Sequence, residues 1–469
     1  MVSGMFFNCT YIQLIVILTI YYSYQGLASE SISSPPRNTS AENLLKQCYN
    51  SQFQPSGTLF NEYLDGQPTR SLYLHRVWWS TKQAEFPLSF FTMCDLNRIT
   101  ALQEQCKSLP GGTVAAAIWL PLSLNGVPEG VDAAAAAEAA KLGPGLSAVH
   151  VHIVENATAL LDEVFARNEA AANTSCALRL MLLYEIVVQE ALAMLMPINI
   201  MRNTALIATD SDLVAMLDVD LSANKDLAGL VMRSPQRVTE MVFRAERQHV
   251  AWILPAWDVS RSVPSLKRNS VADEALSVSS KEKYRLEEMW KTKKQLFPFA
   301  LERGYVLGHN ATNYDRWFTA QAHYGIEYEE GYEPWFIASR FLTPFFDARF
   351  RGYYMNKIVA VRSATRFLNM RVLPDVWIVH RPHEVQVANF GWLEAHKHKK
   401  DKQEEDIALD EPMVINGTMT TARDAFFKRT LHFYRVAVSQ MNAFNYTPVL
   451  DVAVENCRKV LPWWQHRTS

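Results

Sequence analysis

The chain has 469 residues, 49% of them hydrophobic and 20% charged, enough to bury a sizeable core and too apolar for disorder along its whole length. Its 46 Lys+Arg against 48 Asp+Glu leave a net charge of -2, which gives no global attraction to a nucleic-acid phosphate backbone. Six cysteines are too few for a disulfide scaffold, and no CxxC pair exists, which excludes a zinc ribbon.

Residues 5–27 are apolar and carry no charged side chain before Glu30, although Asn8, Gln13 and Gln25 dilute the run. Two readings stay open for residues 1–28: a signal peptide cut near Gly26-Leu27-Ala28, or an uncleaved signal anchor. Residues 29–70 read as a polar stem and lead-in, and residues 71–469 as one folded domain. Sequons at Asn38, Asn156, Asn173, Asn310, Asn416 and Asn445 agree with lumenal exposure. Beyond the leader five cysteines remain, an odd number, so at least one thiol is free or pairs between chains.

Within the domain, residues 71–79 alternate apolar and polar positions as a strand does. Gly111-Gly112 opens a β-rich apolar run that reads as a buried strand, residues 131–142 read as a helix, and residues 149–154 (VHVHIV) alternate as the next strand. Strands separated by helical stretches predict a mostly parallel α/β sheet. Residues 177–194 read as a long apolar helix ending at Pro197, residues 199–208 as a helix, residues 212–221 and 250–257 as strands. Residues 263–280 read as an insertion loop, residues 281–297 as a charged amphipathic helix, residues 372–379 as a last strand and residues 422–440 as a closing helix. A second insertion is expected near 386–412, where the charge run at 396–406 reads as solvated loop.

The sharpest chemical feature lies in residues 213–220, LVAMLDVD. Strand alternation places Asp218 and Asp220 on one side at the carboxyl end, where open α/β sheets bind ligands. Two carboxylates there call for a hard cation, Mn²⁺ or Mg²⁺, which can also hold a diphosphate. The run VLPDVWIVHRPH delivers His380 at the end of another strand, as a neutral imidazole able to complete the coordination; Arg381 is a planar donor for phosphate, and His383 ranks second as a ligand.

Residues 197–205 (PINIMRNTA), LVAMLDVDL, ILPAW, residues 309–340, PFFDARFRGYYMNKI and LPDVWIVHRPHE together resemble glycosyltransferase family 49, which includes LARGE-type enzymes and β-1,4-glucuronyltransferase. The resemblance implies a GT-A fold and type II Golgi topology. It also implies inverting transfer from UDP-glucuronic acid, a UDP-sugar, to a glycan or glycoprotein acceptor. It assigns the metal to Asp218, Asp220 and His380, and the donor to Asn199, Arg202 and Asn203. Tyr354-Met355 and Trp257-Asp258 depart from the family pattern, which bears on donor and acceptor choice.

Inversion needs a carboxylate base, for which the acceptor-side block offers Asp347 first, Glu333 second, then Glu330 and Asp315. Trp317, Trp335, Tyr353 and Tyr354 are the aromatic side chains available for stacking on sugars. The competing readings are another UDP-sugar (xylose, galactose or an N-acetylhexosamine), a paired-carboxylate hydrolase, or an inactive secreted carbohydrate-binding relative. The expected location is the Golgi or ER lumen, on the membrane through the leader, or secreted if the leader is cut.

Overall fold

The computed structural model describes residues 40–51, 53, 72–123, 139, 141–187, 195–352, 354–383, 412–415 and 418–465. The leader, most of residues 131–142, the charge run at 396–406 and Tyr353 lie outside them. No helix among the described residues is long and apolar enough to cross a membrane.

In chain order the first half comprises α1 (Ala41–Asn50), β1 (Leu72–Trp79), β2 (Leu88–Asp95), α2 (Ile99–Lys107), β3 (Thr113–Ser123), α3 (Ala148–Ala170), β4 (Ala177–Val187), α4 (Ile198–Ile207), β5 (Leu213–Met216) and β6 (Leu221–Ala223). There follow α5 (Pro235–Arg247), β7 (Val250–Leu254), β8 (Ala256–Val259), α6 (Ser265–Ser277), α7 (Lys283–Glu287), β9 (Leu296–Pro298), α8 (Tyr314–Thr319), β10 (Tyr324–Gly325) and β11 (Trp335–Ser339). The chain closes with α9 (Asn356–Ala364), β12 (Asn369–Val372), β13 (Ile378–His380), the hairpin β14 (Pro412–Ile415) and β15 (Thr418–Thr421), α10 (Ala422–Asn442) and α11 (Val452–Val460).

Among the described residues nine strands form one sheet in the order β1-β4-β3-β2-β5-β11-β7-β12-β10, and four form a second in the order β6-β13-β8-β9. The large sheet is mixed, which corrects the expectation of a mostly parallel one. β4, β3, β2 and β5 run parallel, whereas β1, β11 and β10 pair antiparallel to their neighbours. Alternation along the parallel strands feeds both faces. Ala116 and Ile118 pack with Val154 and Leu161 of α3, and Ala115, Ala117 and Trp119 pack with Ile200, Met201 and Ala205 of α4.

Several local readings change for definite reasons. Residues 149–154 are helical because the decisive period is longer than six residues. The buried positions of α3 are His150, Val154, Ala157, Leu161 and Val164, a spacing of three and four. The run beginning at Ala177 is the interior strand β4, every residue of which is buried, and a strand covered on both faces shows no alternation. The stretch at 263–280 is not a loop: α6 buries Val271, Ala272, Ala275 and Leu276 along one side. The helix expected over 281–297 ends in a π-turn at Glu288–Thr292 and yields to β9. The expected strands at 250–257 and 372–379 each divide between the two sheets, the first at Pro255 and the second through residues 373–377.

Part of the expected stem is folded. α1 buries Leu45, Cys48 and Tyr49 against the sheet, and a Cys48–Cys457 disulfide ties it to α11. Cys106–Cys176 joins α2 to the start of β4, and Cys94, buried in β2, keeps a free thiol.

Candidate active site and metal centre

The parallel strands place a crevice before any side chain is considered. From β2 the chain moves outward to β3 and β4, then returns to lay β5 on the other flank of β2. That reversal is a topological switch point, where connections diverge at the carboxyl ends and leave room for a ligand. β5 stops at Met216, so Asp218 and Asp220 sit in a turn rather than on the strand, and the alternation argument for their common side does not apply. Leu221 N–H donates to Asp218 O (3.0 Å), and the buried Gln105 amide donates to Asp218 O (2.9 Å) and Leu221 O (3.0 Å), pinning the turn.

The small sheet then assembles the chemistry. β13 pairs with β6 on one side and β8 on the other, which registers His380 between Leu221 and Asp258. Asp220, His380 and His383 converge, their ligand atoms within 4.8 Å of one another. Asp220 Oδ2 lies 2.8 Å from His383 Nε2 and 3.5 Å from His380 Nε2, and the two Nε2 atoms are 3.1 Å apart. Behind them His380 Nδ1 meets Asp258 Oδ1 at 2.9 Å, while Asp258 Oδ2 accepts from Ala300 N–H (2.9 Å) and Arg303 (2.6 Å). A carboxylate on Nδ1 keeps that nitrogen protonated and turns the Nε2 lone pair inward. One oxygen and two imidazole nitrogens fit a divalent cation such as Mn²⁺, and two facing imidazole nitrogens with a carboxylate need a shared positive charge.

The electrostatics agree. Burial alone would push His380 down, but Asp220 and Asp258 outweigh it and push it up to about 10. Burial would raise Asp220, yet the His380 and His383 imidazoles hold its carboxyl well below the usual range. Asp258 is likewise brought down to about 2 against its own burial by His380 and Arg303.

Asp218 faces elsewhere. Its Oδ1 accepts from Arg202 at 2.8 Å, and its Oδ2 accepts from Trp335 Nε1 at 3.2 Å and lies 3.8 Å from Lys357 Nζ. Lys357 sits 3.6 Å over the Trp335 ring and 3.4 Å from Glu333, so one ammonium faces two carboxylates. Burial raises the Glu333 carboxyl above its ordinary value, with Lys357 pulling it back. His309 stacks on Trp335 (centroids 5.3 Å apart, planes 10° apart), and Phe299 meets Trp335 and His380 edge-on, completing an aromatic wall.

Other sequence-derived residues go elsewhere. Asn199 and Asn203 are buried, and their amides donate to Asp347 O (2.9 Å) and Phe346 O (2.7 Å); they clasp a loop and do not line the crevice. Arg202 alone of that motif reaches the acidic turn. Arg381 follows His380 onto the opposite side, where it meets Ser222, Asp273 and Glu104. The Asp347 carboxylate is occupied by Arg349 (2.9 and 2.6 Å) and the Tyr446 hydroxyl (3.1 Å). Glu330 pairs with Arg362 and Tyr434, and Asp315 with Lys291. Trp317 is core, its indole donating to Leu373 O at 2.9 Å, and Tyr354 stacks on Phe427. Tyr354 and Met355, both with positive φ, form the turn into α9 that delivers Lys357. Sequence reasoning missed Asp258, Gln105 and Lys357. Asp258 carried a signal in its place on a strand parallel to the one ending in His380, and Lys357 one in its place near the end of the PFFDARFRGYYMNKI motif; Gln105 carried none.

Comparison with known proteins agrees with this architecture. The family model described as "Glycosyl-transferase for dystroglycan" matches residues 87–409, more than half of the chain. The chain is 28% identical over 201 residues to human "Xylosyl- and glucuronyltransferase LARGE2", covering 43% of this chain and 25% of that protein. It is 24% identical over 200 residues to the Caenorhabditis elegans "Glycosyltransferase-like protein LARGE", covering 42% and 28%. A shorter match, 40% identical over 76 residues, is to the Dictyostelium discoideum "Glycosyltransferase-like protein gnt14", covering 16% and 12%. These matches span no more than 28% of the relatives' own length. The chain belongs to glycosyltransferase family 49.

Proposed function

We propose that this protein is a metal-dependent inverting glycosyltransferase that moves a sugar, glucuronic acid in the leading reading, from a UDP-sugar to a glycan acceptor. The observation that carries the proposal is the Asp220–His380–His383 cluster, oriented by Asp258, beside the switch point of the parallel strands. A Mn²⁺ or Mg²⁺ ion held there supplies positive charge against a diphosphate leaving group. The chain supplies the rest. Gln105 fixes the turn, Asp258 fixes the His380 tautomer, and Arg202 with Lys357 balances Asp218 and Glu333.

Glu333 is the carboxylate we assign as base. It is partly buried and beside Asp218, it faces the Lys357 ammonium, and no Arg fork occupies it. A carboxylate whose pKa is raised by burial and that faces a lysine suits removal of a hydroxyl proton. Asp347, first by sequence, has its lone pairs taken by Arg349 and Tyr446.

Xylose is the second donor to weigh, because the relatives' own names pair xylosyl with glucuronyl transfer. Lumenal placement in the Golgi or ER, with residues 1–28 as anchor or cut leader, belongs to the same proposal. The test is UDP release by the purified protein with Mn²⁺ across a panel of UDP-sugars. UDP-glucuronate as best donor supports the reading, another sugar redirects it, and no release with any donor and acceptor supports an inactive sugar-binding relative.

A further inference from the structure

Behind the aromatic wall lies a second cavity. A cleft of about 440 Å³ is bounded by Trp290, Phe299, Val306, Asn310, Tyr314 and Glu329 among others. Phe299 and His309 belong to both places: they line this cleft, and their rings pack on Trp335 and, for Phe299, on His380. The cleft therefore adjoins the metal cluster. Its size is within the range of small-ligand sites, and its make-up is mixed. Trp290 and Phe299 are half-buried and offer ring surface, while Asn310, Asn313 and Glu329 stand exposed with polar groups. Ring faces take the apolar face of a pyranose, and amides and carboxylates take its hydroxyls.

The charge of the lining narrows the ligand. No Lys or Arg is among the described residues that line the cleft, while Asp315 and Glu329 do. Asp315 is paired with Lys291 at 2.6 Å, but the Glu329 carboxylate accepts one long bond, from Asn310 at 3.4 Å. Burial keeps the His309 imidazole neutral, its pKa well below the ordinary value. A uronate, sulfate or phosphate would meet the Glu329 carboxylate, while the cations that flank the Trp290 and Phe299 rings, Lys291 and Arg303, are already paired with Asp315 and Asp258; a neutral sugar meets amides, a carboxylate and ring faces without a charge penalty.

We propose that this cleft is a subsite for a neutral pyranose of the acceptor glycan, at a unit removed from the reacting hydroxyl. Calling that sugar part of the acceptor rests on the glycosyltransferase reading; its binding does not. Asn310 stands at the cleft and begins a sequon, so the chain's own glycan is the rival occupant.

The experiment is saturation-transfer NMR and calorimetric titration on the purified protein with methyl β-xyloside, methyl β-galactoside and methyl β-glucuronide, without donor. The variants are Val306→Trp, which fills the cleft from an exposed position, and Asn310→Gln, which removes the sequon. UDP with Mn²⁺ is titrated in parallel. We expect at least one neutral glycoside to bind, the glucuronide to bind at least tenfold more weakly, and Val306→Trp to weaken the neutral glycoside at least tenfold with UDP affinity unchanged. Equal binding of glucuronide, no binding of any neutral glycoside, or indifference to Val306→Trp would overturn the proposal. Binding seen only in Asn310→Gln would overturn it in favour of the chain's own glycan. Failure of UDP and Mn²⁺ to bind would refute the transferase reading while leaving the cleft result to stand by itself.

Discussion

Replacing Asp258 with Asn probes whether the carboxylate behind His380 serves the metal or merely the fold. Asp258 is not one of the three clustered residues; it acts through His380 Nδ1 at 2.9 Å. An amide there no longer favours the Nδ1–H tautomer or the basicity of Nε2. Loss of such an outer partner costs roughly 10–100-fold in metal affinity, about 1.4–2.7 kcal/mol. The substitution also weakens the bonds from Ala300 N–H and Arg303, and the charged one contributes about 1.5–3 kcal/mol of stability. The two effects separate with Arg303→Met, which removes the same charged bond and leaves the His380 contact in place. The assay is Mn²⁺ binding by calorimetry together with the Mn²⁺ concentration for half-maximal UDP release, with melting curves alongside. Asp258→Asn should shift both Mn²⁺ curves by one to two decades and lower Tm. Arg303→Met should lower Tm and shift the Mn²⁺ curves by less than about threefold. Equal Mn²⁺ shifts in both variants, or a lower Tm with an unmoved Mn²⁺ curve in Asp258→Asn, would refute the reasoning.

Calorimetry on the free enzyme should separate the two aspartates: Asp220→Asn and His383→Ala weaken Mn²⁺ binding at least tenfold, whereas Asp218→Asn changes it little, because Asp218 faces Arg202 and Trp335. For the metal-free protein, Asp220 lies well below its ordinary 3.8 and Asp258 near 2, so their stabilisation is present above 3.8 and lost as pH falls. His380 is raised from 6.5 to about 10, so its stabilisation is full below 6.5 and lost as pH rises toward 10. Melting temperature without metal should therefore peak between those ordinary values and fall on the alkaline side, while the Tm gain on adding Mn²⁺ grows with pH as the ion replaces a proton. Glu333→Gln should lower kcat by about 10²–10⁴ with little change in UDP affinity; Asp347→Asn should instead lower Tm, and a larger kcat loss in Asp347→Asn at unchanged Tm would reverse the assignment. Endoglycosidase treatment should increase gel mobility if the sequons face a lumen, and an unmoved band with cytosolic fractionation would contradict the lumenal reading.

Local chemistry was legible wherever one short run carried the whole signal. LVAMLDVD marked an apolar strand leading into two carboxylates, though not that these lie in a turn beyond it, and VLPDVWIVH marked a strand ending in histidine, because strand propensity and residue type act within eight or nine positions. α4 and α10 were readable for the same reason. The reading failed where burial on both faces erased periodicity, as in β4, and where six alternating residues imitated a strand inside a helix whose true repeat spans fifteen, as in α3. The long-range order of motifs carried the family, since spacing across hundreds of residues is specific even when each motif is weak.

What the sequence by itself determined is therefore the family, the acidic run after an apolar strand and the histidine-tipped strand. Tertiary structure decided which side chains meet. Asp220 and Asp218 are two residues apart, yet the turn sends one to two histidines and the other to Arg202 on α4. His383 joins the cluster because β13 pairs with β6, and Asp258 supports it because β13 also pairs with β8; both facts depend on sheet register, which no local pattern records. Asp347 takes its arginine fork from Arg349 only two residues along, but the Tyr446 hydroxyl that completes its occupation and the Lys357 ammonium beside Glu333 come from distant segments. The physical reason is common to these long-range contacts. Residue type sets what a group can do, while its partners, its burial and its charge state are set by chain segments tens to hundreds of residues away.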